Sequence, residues 1–357
     1  MEQAALQGVP DLREVDDDFA AALKAFQVTA LSLVDGAPAL RLAKPPSPAL
    51  LRAAERSLRI AATDADAARA FFVSHFELRE IEAPGFLTGY YEPVVNGSLT
   101  ESARFREPIL ARPDDLVSFT AGDGPPGFNP ELAGARRRAD GALEPYPDRA
   151  TLEAARSSPI VWLEDAVEVF LIQVQGSARV KLADGRELRL VYDGRNGQPY
   201  TSIGRELIDS GEIAAEEMSL ARLKSWLRAH GLAPGERGRE LMRRNRSYIF
   251  FRLEAADDPP QGPIGGAGVA LTPLRSIAVD RQAWSYGLPF WIEADLPQGD
   301  RLSPFRRLMI AQDTGTAIVG PARFDLFFGS GDAAGAQAGA IRHACRAWGL
   351  APRESPI

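Results

Sequence analysis

The 357-residue chain is 45% hydrophobic and 25% charged, the balance of a soluble globular protein with room for one large or two ordinary domains. Its formal net charge of -7 gives no global attraction for nucleic acid, which is therefore not an expected partner. One cysteine, Cys345, rules out an intramolecular disulfide and a Cys-based metal cluster, and the three histidines (His75, His230, His343) stand apart without ligand spacing, so neither metal nor cofactor is expected.

The opening MEQAALQGVPDLREVDDDFA carries neither the basic n-region nor the apolar h-region of a secretory signal, and no stretch holds the ~18 uninterrupted apolar residues of a membrane span. From Asp16 to about Leu78, apolar residues recur at intervals of three and four in FAAALKAFQVTALSL, PALLRAAERSL and DADAARAFFVSHF. Pro45, Pro46 and Pro48 separate the pieces, so this region is predicted to form scaffold helices. Around Gly85 the texture changes to strands with Gly, Pro and Asn between them, beginning with GFLTGYYEPVVNGS. Arg112 to Asp148 reads as a long polar loop excursion. Strands are predicted at AVEVFLIQVQ and SARVKLADGRELRLVYDG, the latter turned at Asp184-Gly185.

A short helix is predicted from about Glu216 to His230, with Leu220, Leu223, Trp226 and Leu227 on one face, before a strand at RSYIFFRLE. After Gly262, closely spaced strands at PIGGAGVALTPLRSIAVD, LPFWIEADL, RRLMIAQDTGTAIVG and RFDLFFGSG point to a compact β-barrel, closed by a final helix from about Ala333 to Trp348.

The segment AQDTGTAIVGPARFDLFFGSGDAAG, residues 311 to 335, places Asp313, Asp325 and Asp332 in or beside Gly-rich turns. Carboxylates on neighbouring loops can converge on one cleft, where burial beside Phe324, Phe327 and Phe328 would raise the pKa of the least solvated and suit it to general-acid work. Asp313 and Asp332 have an equally simple reading as turn formers, with Asp332 capping the last helix. Asp325 differs, because an unpaired carboxylate inside an apolar run is costly; it is either paired or functional.

Other segments offer binding groups. In GFLTGYYEPVV, Thr88, Tyr90 and Tyr91 suit contact with sugar rings, or else are core packing of a strand. YDGRNGQPYTSIG concentrates Asp193, Asn196, Tyr200 and Ser202 in a Gly-rich loop of the binding kind. Gln173 and Gln175 would share one face of a strand, lining a groove or facing solvent at an edge. Gly266 and Gly268 suit a barrel turn better than a phosphate cradle, and Arg136 to Arg138 a solvated loop face.

These segments together resemble the membrane-bound lytic murein transglycosylase A family: GFLTGYYEPVV, IQVQGSARVKLADG, YDGRNGQPYTSIGRELID, NRSYIFFR, GVALTPLRSIAVD and the three-aspartate segment occur in order from residue 85 to 335, about 70% of the chain. The resemblance implies a mainly β fold with N-terminal helices. Residues 1–95 and 242–357 would form a double-psi β-barrel catalytic domain, residues 96–241 an inserted second β-barrel domain, and a glycan groove would lie between the two. It implies Asp325 as catalytic acid and Asp313 as its supporting aspartate. Thr88, Tyr90, Tyr91, Gln175, Asp193, Tyr200, Ser202 and Asp332 would contact substrate. Peptidoglycan glycan strands are the implied partner, with other cell-wall enzymes as further partners, and the periplasm at the outer membrane the implied location. The family's leader and lipid-anchor cysteine have no counterpart in this sequence.

Two other classes remain open: a non-catalytic glycan-binding module on the same fold, and a conventional two-carboxylate glycosidase pairing Asp325 with Asp313 or Glu92. The Asp313-Thr314-Gly315 tripeptide of aspartic proteases occurs once, in the wrong flanking order for two pseudo-symmetric lobes.

Overall fold

A computed structural model describes residues 8–119, 124–256, 262–299 and 301–355; the first part of the N-terminal stretch and residues 120–123 of the polar excursion lie outside the described residues. The chain divides into two units, one of Met1–Tyr90, Ile264–Gly329 and Ala340–Ile357, the other of Tyr91–Pro263 and Ser330–Gly339.

In chain order the elements begin with α1 (Phe19–Val34), α2 (Pro48–Ser57), α3 (Ala65–His75), β1 (Phe76–Glu80) and β2 (Gly85–Glu92). There follow β3 (Val94–Ser98), β4 (Glu107–Leu110), β5 (Leu116–Ser118), β6 (Gly134–Arg137), β7 (Leu143–Pro145), α4 (Arg149–Ala155) and β8 (Pro159–Leu163). Next come α5 (Ala166–Gln175), β9 (Ser177–Lys181), β10 (Glu187–Arg195), α6 (Ile203–Asp209), α7 (Leu220–Ala229), α8 (Arg237–Arg244) and β11 (Ile249–Ala255). The chain closes with β12 (Ser276–Ala278), β13 (Pro289–Gln298), β14 (Arg301–Asp313), β15 (Arg323–Ser330), α9 (Asp332–Gly339) and β16 (Arg342–Pro352).

The first unit is a β-barrel with a helical cover. Its sheet runs β1-β16-β13-β14-β12-β15-β2, and a further pairing of β16 with β2 closes the last six strands on themselves. The fold is thus mainly β with N-terminal helices, as the resemblance implied. Strand alternation sorts the side chains. Phe290, Ile292, Met309, Ala311, Phe324 and Leu326 share one buried cluster, while Trp291, Leu308, Ile310 and Trp348 turn the opposite way and pack with Phe19, Phe26, Phe71 and Phe72 of the helices. Each helix starts where a polar side chain satisfies an otherwise orphaned amide: Asp18 accepts from Ala21, Ser47 from Leu50 and Asp64 from Ala67. A buried ion pair, Asp17 with Arg275 at 2.7 Å, ties the helical entry to the barrel.

The second unit holds a six-stranded sheet, β11-β10-β9-β3-β8-β4, whose outer strands β11 and β4 touch, and a three-stranded sheet, β5-β6-β7. The small sheet gives order to part of the excursion expected to be loop. Asp184 and Gly185, the latter at φ +86°, turn β9 into β10 as the sequence predicts. Helices α4, α6 and α8 were not expected.

Two predicted elements are corrected. AVEVFLIQVQ is not a strand but α5, capped by Asp165 at its start and by left-handed Gly176 at its end. Seven of its residues are buried, so no amphipathic period is written in the run, and only the caps declare the helix. The last helix ends at Gly339, not near Trp348; the segment beyond it is β16, which pairs with β1, β13 and β2. Tertiary pairing there overrides the Ala-rich local preference.

Closure of the barrel demands a glycine at its seam. A Cβ on Gly85 would sit 2.3 Å from the Cys345 carbonyl oxygen on the facing strand. Gly85→Ala is expected to cost about 1–3 kcal/mol of stability, measurable as a lowered urea midpoint; an unchanged midpoint would contradict the tight β2–β16 approach.

Candidate active site

Asp325 lies on β15 opposite Ala278 of β12, and Asp313 lies opposite the same Ala278 on β14, at the end of that strand. The two aspartates therefore occupy one level of the barrel wall, two strand spacings or about 10 Å apart at Cα. Both face away from the barrel cluster. Phe324 and Leu326 point into that cluster, whereas Phe327, two residues on from Asp325, shares its side of the strand and packs with Tyr90, Leu271, Ala278 and Ile318. Of the three phenylalanines expected to surround Asp325, Phe327 shares its face, and Phe324 and Phe328 belong to the interior cluster.

Burial of this face pushes the Asp325 carboxyl up from an ordinary 3.8 to about 6, against the opposing hydrogen bond from Thr88 and the Arg323 charge, with Asp313 adding to the rise. Protein surrounds the carboxyl, yet the residue keeps a partial opening to solvent. Its Oδ1 accepts from the Thr88 hydroxyl at 2.6 Å, and among the described residues Oδ2 receives no hydrogen bond. Arg323 donates to the Thr88 oxygen at 2.8 Å. A protonable carboxyl with one oxygen held and the other available is suited to delivering a proton near neutral pH.

Asp313 is held quite differently. Its Oδ1 accepts the amides of Gly266 at 2.7 Å and Thr314 at 2.8 Å, and its Oδ2 accepts the Tyr90 hydroxyl at 2.9 Å. Burial raises its pKa, while the Arg41 charge and these donors oppose the rise. The Gly265-Gly266 turn permits the approach, since a Cβ on Gly265 would lie 2.6 Å from the Gln312 carbonyl oxygen. Arg41 also donates to the Thr314 carbonyl at 2.9 Å, clamping the loop that follows Asp313.

Thr88, Tyr90, Asp313 and Asp325 thus converge in the first unit. The remaining candidates belong to the second. Tyr91 is buried, and a Cβ on Gly335 of α9 would come within 2.7 Å of its ring; burial, with the charges of Glu168 and Asp332, pushes its phenol up to about 12. Gln175 ends α5 and accepts the Tyr91 amide at 3.0 Å, while Gln173 is buried against Arg149, so the two amides do not line a strand face together. Asp193 lies 3.8 Å from Arg252, Tyr200 is 36% exposed, and Ser202 caps α6. Asp332 is exposed at the start of α9, on a polar cleft of about 550 Å³ shared with Asp165, Glu168 and Lys224. Glu92 is fully buried, paired with Arg179 at 2.8 Å and Arg189 at 3.3 Å and accepting from Ser330; it holds the turn before α9 and is no partner for an acid.

Arg323 and Arg41 are the functional neighbours that sequence reasoning missed. A signal for Arg323 was present, because it precedes Asp325 by two residues and so must share its side of a strand. Arg41 carried none, since it lies 272 positions before Asp313 in a loop.

A protonable carboxyl on the wall of a closed barrel is the equipment of an acid–base enzyme. Residues 86–252 match the family described as MltA specific insert domain, and residues 275–351 match the 3D domain. The membrane-bound lytic murein transglycosylase A of Vibrio cholerae is 31% identical over 274 residues, a match that covers 75% of this chain and 66% of that relative's length. The crystal structure of a membrane-bound lytic murein transglycosylase from Agrobacterium tumefaciens superposes with a TM-score of 0.85 at 34% identity, covering 96% of this chain and 97% of that one. Escherichia coli MltA with bound chitohexaose superposes at 0.67 with 27% identity, over 94% of this chain and 89% of that one. The chain belongs to the membrane-bound lytic murein transglycosylase A family.

The raised carboxyl has a consequence for stability. A group favouring its protonated form in the folded state contributes stability that is complete below about pH 4 and lost as pH rises through about 6. Asp325→Asn keeps an acceptor for Thr88 without the charge. It is expected to exceed the native protein in stability at pH 8 by on the order of 1–3 kcal/mol, with the gap closing near pH 4. Urea denaturation at both pH values measures this, and a variant no more stable at pH 8 would contradict the environment assigned to Asp325.

Proposed function

We propose that the protein cleaves the β-1,4 bond between N-acetylmuramic acid and N-acetylglucosamine in peptidoglycan, with Asp325 as acid and then base. The observation that carries this reading is the Asp325 carboxyl, pushed up to about 6, with Oδ2 receiving no hydrogen bond among the described residues. Protonated Asp325 gives its proton to the glycosidic oxygen as the C1–O bond breaks. The resulting carboxylate takes the proton of the muramoyl C6 hydroxyl, whose oxygen attacks C1 and closes a 1,6-anhydro ring. No water is consumed, so a site that excludes water favours this outcome over hydrolysis. The developing positive charge is met by the substrate's own N-acetyl group or by Asp313 with its neighbouring dipoles.

The bound chitohexaose of the Escherichia coli relative supports a glycan substrate. The name of the relatives supports a place at a membrane, and a murein substrate fits the periplasm at the outer membrane; among the described residues no helix is long and apolar enough to cross one. A two-carboxylate hydrolase is disfavoured by the partners of its second carboxylate rather than by spacing: both Asp313 oxygens are taken by donors, and Glu92 is locked between arginines. A pure binding module would have no use for a protonable acid among apolar neighbours.

Digestion of purified sacculi followed by mass spectrometry is expected to yield 1,6-anhydromuramoyl ends; reducing ends would mean a hydrolase and no release a binding module. Asp325→Asn is expected to lower turnover by at least about a thousandfold with glycan binding retained, since the amide cannot deliver a proton. For the native protein, kcat/KM should be level below about pH 6 and fall about tenfold per unit above it, as the acid form is titrated away. A profile level to pH 9 would remove Asp325 from the acid role.

A further inference from the structure

A threonine hydroxyl has one proton to give and two lone pairs to fill. At Thr88, Arg323 Nη2 fills one lone pair at 2.8 Å, and the single proton goes to Asp325 Oδ1 at 2.6 Å. The guanidinium can only donate, so this direction is fixed from the Arg323 end. Arg323 is itself immobilised, lying 5.3 Å over the Phe86 ring and donating to the Phe324 carbonyl. An acid proton on Oδ1 would make that oxygen a hydroxyl, a poorer acceptor for the Thr88 proton than a carbonyl oxygen. Placed on Oδ2, it leaves the chain of donors intact.

The geometry points to Arg323 as a positioning residue acting through Thr88: together they assign the transferable proton of Asp325 to Oδ2, the oxygen left open to substrate. This rests on the reading of Asp325 as the acid, and it replaces the expectation that Thr88 contacts sugar. The pair does two things at once. It fixes which oxygen delivers the proton, and after delivery it supplies a donor to the carboxylate that must take the second proton. Arg323 on the same strand, Thr88 and Tyr90 on β2, and Asp313 at the end of β14 are the charged, titratable and hydrogen-bonding groups around Asp325. Cys345 on β16 stands beside Arg323, its thiol pushed by burial up to about 12 and therefore uncharged.

The test combines steady-state cleavage of sacculi with a 13C NMR titration of aspartate carboxyls, the Asp325 signal being identified by its loss in Asp325→Asn. Thr88→Val keeps the shape and removes the donor. It is expected to lower kcat about 10- to 100-fold with KM within about twofold, and to move the Asp325 midpoint upward, because the carboxylate loses its hydrogen bond. Thr88→Ser should recover turnover to within a few-fold and bring the midpoint back. Arg323→Met should likewise lower kcat and raise the midpoint, and added to Thr88→Val it should cost little further kcat. A raised KM with kcat preserved in Thr88→Val would make Thr88 a glycan contact and overturn the proposal, as would an unmoved midpoint. Should native protein fail to cleave sacculi at all, the proposed function falls, and the NMR midpoints of the same variants still decide whether the relay exists.

Discussion

Closure of the six-stranded barrel is the constraint on which the candidate site depends. Because β16 pairs with β2 as well as with β13, β2 is held beside β15, and Thr88 meets Asp325 across 237 positions of sequence. The same arrangement presses Tyr90 against Phe327, with ring centroids 5.3 Å apart. That packing strips water from one side of the carboxyl, and the removal of water is the largest influence on its acidity. An open sheet would leave Asp325 an ordinary solvated aspartate.

Asp313 and Asp325 show how one residue type acquires two characters on one strip of barrel wall. They flank the same alanine. One accepts two amides and a phenol and is spent on holding a turn and a tyrosine in place. The other, among the described residues, has one donor and one open oxygen. Partner count, more than burial, separates them, since burial raises both. Pairs of titratable groups whose surroundings differ in this way are a common means of dividing labour in acid–base sites.

How far the sequence could be read depended on whether a signal was local. The N-terminal helices were legible because Asp18, Ser47 and Asp64 cap runs of helical period. Asp325 was legible as an anomaly, a carboxylate inside an apolar strand. AVEVFLIQVQ was misread because a helix with seven of its ten residues buried shows no clear period, and alternating glutamines mimicked a strand. The segment after Gly339 was misread because its strand character comes from three partner strands far away in sequence. Which phenylalanine shares the Asp325 side of β15 follows from counting by two. That Glu92 is fastened by Arg179 and Arg189 could not be counted, because those partners arrive from two other strands.

The chain passes from one unit to the other four times, at 90/91, 263/264, 329/330 and 339/340. Neither unit is a continuous stretch, and the last pairing of the barrel uses residues 342–345 against 85–88. A ribosome making this protein must therefore deliver the chain through residue 345 before the seam can zip, and long-range pairings of this kind form late and slowly. Chains that stop short of residue 345 accordingly lack the surroundings that raise the Asp325 carboxyl.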